Sequence, residues 1–150
     1  MAGLWFEDFS EGMAFEHATR RTAATEVNIH FSLLTMNPQP LHIDHEFAAQ
    51  SEWGQPLVNS LFTLGLLIGM TVGDTTEGTT LGNLGMTDVR FPHPVFEGDT
   101  LHARTRVIGV RASKSRPGQG IVTFQHEMLN QADTLVATCD RAALMLGRPD

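Results

Sequence analysis

The spacing of apolar and polar positions divides the chain into an opening strand, a helical middle and a run of strands. Residues 12–24 (GMAFEHATRRTAA) open on a glycine and partly alternate, which predicts a first strand. Thr25 then reads as an N-cap, with Glu26 in the first turn, where the helix dipole favours negative charge. Val27, Phe31 and Leu34 recur at helical spacing and predict a helix ending near Asn37-Pro38. Asp44 reads as the cap of a second short helix carrying Phe47, Ala48 and Ala49. The most apolar stretch, residues 58–72 (VNSLFTLGLLIGMTV), is apolar on every side and predicts a helix buried all round. It is too short for a bilayer, which needs about 20 residues. Gly65 and Gly69 weaken that helix by about 1 kcal/mol each, so a close neighbour is expected there, and a packed sheet is the neighbour the pattern suggests.

Beyond residue 80 the period changes from helical to alternating. Residues 81–91 form a Gly-rich strand pattern that stops at Pro92. In residues 101–110, Leu101, Ala103, Thr105 and Val107 fall on one face and His102, Arg104 and Arg106 on the other. Arg116-Pro117-Gly118-Gln119-Gly120 is a strong turn signal. Strands follow at 121–130, with Val122, Phe124 and Met128 on one face, and at 135–146. One strand, then helices, then four strands in hairpin succession predicts an α+β fold with an antiparallel sheet around one buried helix.

Composition narrows the function classes. One hundred and fifty residues fit a single domain spanning 1–150. A net charge of −7 repels phosphate backbones, so nucleic-acid binding is not expected. The ten basic residues are nine Arg and one Lys. Cys139 is the single cysteine, which suits a reducing compartment and reads as core. The opening MAGLWFEDFS is acidic and lacks an apolar signal-peptide core, so the expectation is a soluble cytoplasmic protein with no membrane partner.

The richest chemistry lies in residues 34–48, LTMNPQPLHIDHEFA. Pro38 and Pro40 lock the backbone on either side of Gln39, and the segment presents Asn37, Gln39, His42, Asp44 and His45 on a held loop. Such a loop entering a capped helix can aim an imidazole into a cleft. The same residues also fit purely structural work, with Asn37 ending one helix, Asp44 capping the next and His42 packed between them. A metal site is not expected, because His42, Asp44 and His45 are too close in sequence to converge and no fourth ligand is apparent. No Gly-x-Ser-x-Gly elbow surrounds Ser60, which argues against a hydrolase nucleophile.

The loop resembles the active-site segment of MaoC-like hydratases and dehydratases, Asp-x-Asn-Pro-(apolar)-His-x-Asp. Placing His42 on the family histidine puts Gln39 on its asparagine and Asn37 on its aspartate. Residues 91–101, FPHPVFEGDTL, resemble the family's Phe-x-x-Pro-Val-x-x-Gly-Asp-Thr-Leu, and Asn59-Ser60 stand where it commonly has His-Gly. The resemblance implies a hotdog fold, usually dimeric, that adds water to or removes it from an acyl thioester of coenzyme A or acyl carrier protein. It implies His42 as proton carrier, Asn37 holding the water, Asp44 orienting the imidazole and the Ser60 N–H polarising the thioester carbonyl. Asn59, Gln39 and His93 are implied to contact substrate. Coenzyme A enters as part of the substrate, with no separate cofactor. Asn37 cannot exchange a proton near neutral pH as the family aspartate can, which leaves His42 with the proton traffic.

Asn-x-Gln-Pro-Leu-His, NSLFTLGLLIG and NLGMTDVRFPHPVFEGDTL further resemble a subgroup that hydrates branched C5-dicarboxylyl thioesters such as mesaconyl-CoA or itaconyl-CoA. Such a substrate needs a cation for its free carboxylate. Arg90 is the expected one, with Arg20 and Arg21 as alternatives and an ion pair with Asp88 as its competing structural role. Arg104, Arg106, Arg111, Lys114 and Arg116 fit either a patch for coenzyme A phosphates or a solvated strand face. The competing functional classes are a hotdog thioesterase and a non-catalytic acyl-thioester binder.

Overall fold

In a computed structural model, residues 3–149 are described; Met1, Ala2 and Asp150, the ends of the expected domain, lie outside the described residues. A 3-10 turn at Phe6–Asp8 leads into strand β1 (Ala14–Thr22). Helices α1 (Thr25–Leu34), α2 (Pro40–Ile43), α3 (His45–Gln50) and α4 (Ser60–Thr75) follow. Strands β2 (Thr80–Arg90), β3 (Thr100–Ala112), β4 (Gly120–Leu129) and β5 (Leu135–Met145) complete the fold. The strands form one antiparallel sheet in the order β1-β3-β4-β5-β2. Helix α4 packs across β1, β3, β4 and β5. This is the hotdog architecture of an α+β fold.

The alternation read in β3 holds: Leu101, Ala103, Thr105 and Val107 are buried, and Arg104 and Arg106 are exposed. Hairpin succession holds only for β3, β4 and β5. Strand β2 lies at the far edge beside β5, not beside β3. The connection after β2 must therefore cross to the other half of the sheet, and on the way it passes the start of α4, where Val58 N–H bonds the Val95 carbonyl at 2.8 Å. That crossing creates a cleft at one end of the central helix.

Three local expectations are corrected. Helix α4 is not buried all round. Thr63, Leu67, Met70 and Thr71 face the sheet, whereas Leu61, Gly65, Gly69 and Gly73 form an exposed stripe, and a Cβ at any of the three glycines would meet open space. The glycines therefore do not serve packing against this chain's own sheet. In α1 the buried residues are Asn28 and Ser32, and Val27 and Leu34 of the apolar stripe face outward, because the polar pair is needed inside for bonds to the segment before α4. Finally, the N-cap of α1 is Ala24; Thr25 is the first helical residue and donates its hydroxyl to Glu97 at 2.7 Å.

The sheet's inner face carries two apolar clusters. One includes Leu67, Leu101, Met128 and Val136 near the start of α4, and the other includes Phe9, Val107, Phe124 and Met145. A buried polar row crosses the same face. Arg141 Nε donates to His126 Nε2 at 3.2 Å, His126 Nδ1 meets Thr105 Oγ1 at 2.8 Å, Thr105 meets His17 Nε2 at 2.8 Å, and His17 Nδ1 meets Asp74 at 2.7 Å. Because Arg141 can only donate, each proton in the row is fixed: His126 donates to Thr105, Thr105 to His17, and His17 to the Asp74 carboxylate.

Candidate active site

The site is assembled from four segments that backbone and side-chain bonds hold together. Helix α1 ends in a left-handed turn at Met36, with the Asn37 N–H bonding the Ser32 carbonyl at 2.8 Å. Asn37 Oδ1 then accepts the Gln39 N–H at 3.1 Å, and Pro40 opens α2 with its φ already helical. This bend delivers His42 to the start of α4. Asp44 caps α3 by accepting the Phe47 N–H at 3.0 Å, as its position in the sequence suggests.

His42 Nδ1 lies 2.8 Å from the Leu57 carbonyl oxygen. A carbonyl only accepts, so in the neutral ring the proton sits on Nδ1 and Nε2 carries the lone pair. The Leu57 carbonyl is itself held, since it also accepts from Asn28 Nδ2 at 3.0 Å, and the Leu57 N–H bonds the Leu41 carbonyl. The partner that orients this imidazole is thus Leu57. The expected orienting role of Asp44 is corrected, because its carboxylate serves the α3 cap.

His42 lines a cavity of about 330 Å³ together with Trp53, Leu57, Val58, Ser60 and Thr63. Its remaining wall is Phe91, Pro92, His93, Pro94, Val95 and Val136. Ser60 is the first residue of α4, and among the described residues nothing accepts its N–H; the next N–H, of Leu61, is capped by Asn59 Oδ1 at 3.0 Å. Ser60, with its free donor at the positive end of a 16-residue helix, lines the same cavity as the imidazole. His93 enters from the other side, with Nδ1 2.9 Å from the Leu135 carbonyl.

The structure therefore brings together His42, Ser60 and His93 and leaves the other expected residues elsewhere. Asn37 lines a separate hollow of about 220 Å³ with Leu33, Met36, Pro38 and Ile43, so its placement does not support a role in holding water beside His42. Gln39 is exposed and outside the cavity. Asn59 is 2% exposed and spends its amide on Leu61 and on Ser32 Oγ at 3.2 Å, which corrects the expectation that it contacts substrate. Arg90 lies one residue outside the lining, its side chain exposed and 3.5 Å from Asp88. His42, Asp44 and His45 do not converge, and His45 Nε2 instead pairs with Glu97 at 2.9 Å.

Two residues that build the site are not singled out by the sequence. Asn28 is fully buried and is the hub: the two protons of Nδ2 are shared among the His42 and Leu57 carbonyls and Glu97, at 3.0 to 3.2 Å, and Oδ1 accepts the Asn59 N–H at 2.8 Å. Glu97 receives Asn28, Thr25 and His45. Burial raises its pKa, but these hydrogen bonds outweigh burial and hold the carboxyl below its ordinary value. The FPHPVFEGDTL motif gains a physical reading here. Gly98 turns at φ 93°, a conformation that favours glycine, while Asp99 accepts the Phe96 N–H at 2.9 Å and Glu97 locks onto α1. The only available signal was the position of Asn28 and Ser32 on one helical face, where polar residues usually mean solvent.

Comparison with known proteins agrees with this construction. The MaoC-like domain family matches residues 8–128. The mesaconyl-CoA hydratase of Cereibacter sphaeroides is 31% identical over 147 residues, 98% of this chain but 42% of that protein. The (R)-specific enoyl-CoA hydratase of Aeromonas caviae is 30% identical over 120 residues, covering 80% of this chain and 84% of the enzyme. A conserved hypothetical protein from Mycobacterium tuberculosis described as having a double hotdog fold superposes with a TM-score of 0.88 at 27% identity, over 99% of this chain and 46% of its own. The chain thus spans less than half the length of the mesaconyl-CoA hydratase and of the double-hotdog protein. With its helix-wrapping sheet, its His42 loop and its FPHPVFEGDTL turn, the chain belongs to the MaoC-like domain family.

Proposed function

We propose that the chain is a hydro-lyase that reversibly adds water across the double bond of an enoyl-CoA thioester to give the 3-hydroxyacyl-CoA. The observation that carries this reading is one cavity holding both an imidazole with Nε2 kept as an acceptor and the unpaired Ser60 N–H at the start of α4. Water hydrogen-bonded to His42 Nε2 loses a proton to it as the oxygen attacks Cβ. The π electrons move toward the thioester carbonyl, and the Ser60 N–H and the α4 dipole stabilise the oxyanion as it forms. Protonation at Cα completes the addition. The relatives named as hydratases support the reaction class.

The finer proposal is a branched C5-dicarboxylyl chain, such as mesaconyl-CoA or itaconyl-CoA. The mostly apolar walls suit a short branched acyl group, and Arg90 at the rim is the cation for its free carboxylate once released from the exposed pair with Asp88. We also propose a homodimer. The open Leu61–Gly65–Gly69 stripe of α4 and the edge strand β2, with Leu81, Leu84 and Val89 exposed, present an apolar face. The double-hotdog relative carries about twice this chain's length, so a second copy is the occupant that would reproduce such an assembly.

Incubation with mesaconyl-CoA, itaconyl-CoA and crotonyl-CoA tests the reading. Loss of enoyl absorbance without release of free thiol is expected. Release of free thiol would make the chain a thioesterase, and binding without either change would make it a binding module. Within the hydratase outcome, Arg90→Ala should impair mesaconyl-CoA turnover more than crotonyl-CoA turnover; equal losses would remove the carboxylate role.

A further inference from the structure

The cavity contains a second imidazole held in the same way as the first. His93 Nδ1 lies 2.9 Å from the Leu135 carbonyl, as His42 Nδ1 lies 2.8 Å from that of Leu57. Each ring therefore presents Nε2 as its remaining functional atom. The two are anchored to different walls, His42 to the segment entering α4 and His93 to the first residue of β5. They are the titratable side chains of the lining, whose other members are apolar or hydroxyl-bearing. Of the charged groups near them in sequence, Asp44 accepts the Phe47 N–H, Glu97 is held by Thr25, Asn28 and His45, and Arg90 and Asp88 on β2 meet each other. Asn37, the residue expected beside His42, belongs to a different hollow and has its carbonyl oxygen engaged by Gln39.

Resting on the hydratase reading above, we infer that His93 is the acid–base partner of His42, donating the proton from Nε2 to Cα while His42 takes the proton of water. Addition of water needs one proton removed and one supplied. In the hydration direction His42 begins neutral and His93 protonated. The water O–H bond breaks toward His42 Nε2, the new C–O bond forms at Cβ, and the enolate electrons then form the Cα–H bond as the His93 Nε2–H bond breaks. The proton left on His42 returns to His93 through solvent water. The sum is water plus enoyl thioester giving hydroxyacyl thioester, with no oxidant or further reactant. Dehydration runs the same steps in reverse, with neutral His93 removing the Cα proton. The site thus recovers, from the loop after β2, the second proton-transfer group that an amide at position 37 cannot provide.

The test uses His93→Asn and His93→Gln in the intact protein with crotonyl-CoA and mesaconyl-CoA. An Asn amide can keep a donor near the Nδ1 position and so preserve the anchor on Leu135, but it has no group at Nε2. Both variants should fold with the wild-type melting curve, hold KM near the wild-type value and lose about 10²-fold or more in kcat. Wild-type kcat/KM should show two pH limbs, and the variants should lose the limb on the alkaline side, where an acid is needed. A purely structural His93 would not move that limb. Unchanged kcat in either folded variant overturns the inference and leaves the hydratase reading standing. A loss confined to mesaconyl-CoA also overturns it, making His93 a carboxylate contact. No hydration of any enoyl-CoA by the wild type overturns both. Should both variants fail to fold, the wild-type profile decides: a kcat/KM without an alkaline limb overturns the assignment, and one with that limb sustains it.

Discussion

At the residue scale, the site depends on groups that hold the imidazole in place and take no part in the proposed proton transfer. The Leu57 carbonyl sets the His42 tautomer, and Asn28 holds the Leu57 carbonyl. Asn28→Ala would leave Glu97, the Asn59 N–H and two carbonyls short of a partner in a buried place. The expected cost is about 3 kcal/mol in urea unfolding, with kcat reduced in whatever fraction remains folded. A loss below the error of the measurement would show that water replaces the amide. Asn37 gives the opposite expectation. Its Oδ1 accepts one backbone N–H outside the cavity, and a carboxylate accepts that bond equally well, so Asn37→Asp should fold and retain turnover. A large gain or loss in kcat would place position 37 in the chemistry after all. The His42 loop was legible because two prolines, an amide and a helix cap lie in one short segment. Asn28 and Glu97 were not, because a polar side chain on a helix gives no local sign that it points inward.

At the element scale, the polar row across the sheet separates the expected strands from their interior. Alternation identified the buried faces of β3 and β4, yet the sheet's inner face also carries Thr105, His126 and Arg141. Burial, followed by the Arg141 charge, pushes the His126 pKa down to about 3. An unfolded histidine takes up its proton near pH 6.5, at about 6.5 on the reference scale. The folded state therefore binds fewer protons between those values. Its contribution is fully present above about pH 6.5 and is lost as the pH falls toward about 3. His126→Gln should flatten the acid limb of stability against pH, measured by urea midpoints; an unchanged acid slope would contradict the neutral, buried ring. Thr105→Val removes both hydrogen bonds of the row's central hydroxyl and should cost about 3 kcal/mol. Helix α4 shows the same limit of sequence reading. Its apolar length was plain, but which face met the chain's own sheet was not, since Gly65 and Gly69 fit either a near neighbour or an open side.

At the scale of the whole molecule, strand number and the central helix were legible, whereas strand order was not. Placing β2 beside β5 depends on long-range pairing, which local periodicity does not encode. That placement leaves β2 as an edge and the glycine stripe of α4 uncovered. The proposed second copy would cover both, and Gly69→Leu should then shift the mass measured by light scattering from dimer to monomer. A wild-type monomer would refute the proposed pairing. Among the described residues no helix is long and apolar enough to cross a membrane. In the proposed reaction water is added in the cavity beside α4, with His42 Nε2 taking its proton. The most direct measurement is the rate of enoyl absorbance loss for His42→Gln beside the wild type, on whichever enoyl-CoA the wild type turns over. A folded variant with kcat lowered by about 10³-fold is expected. A folded His42→Gln protein that hydrates at the wild-type rate would contradict it.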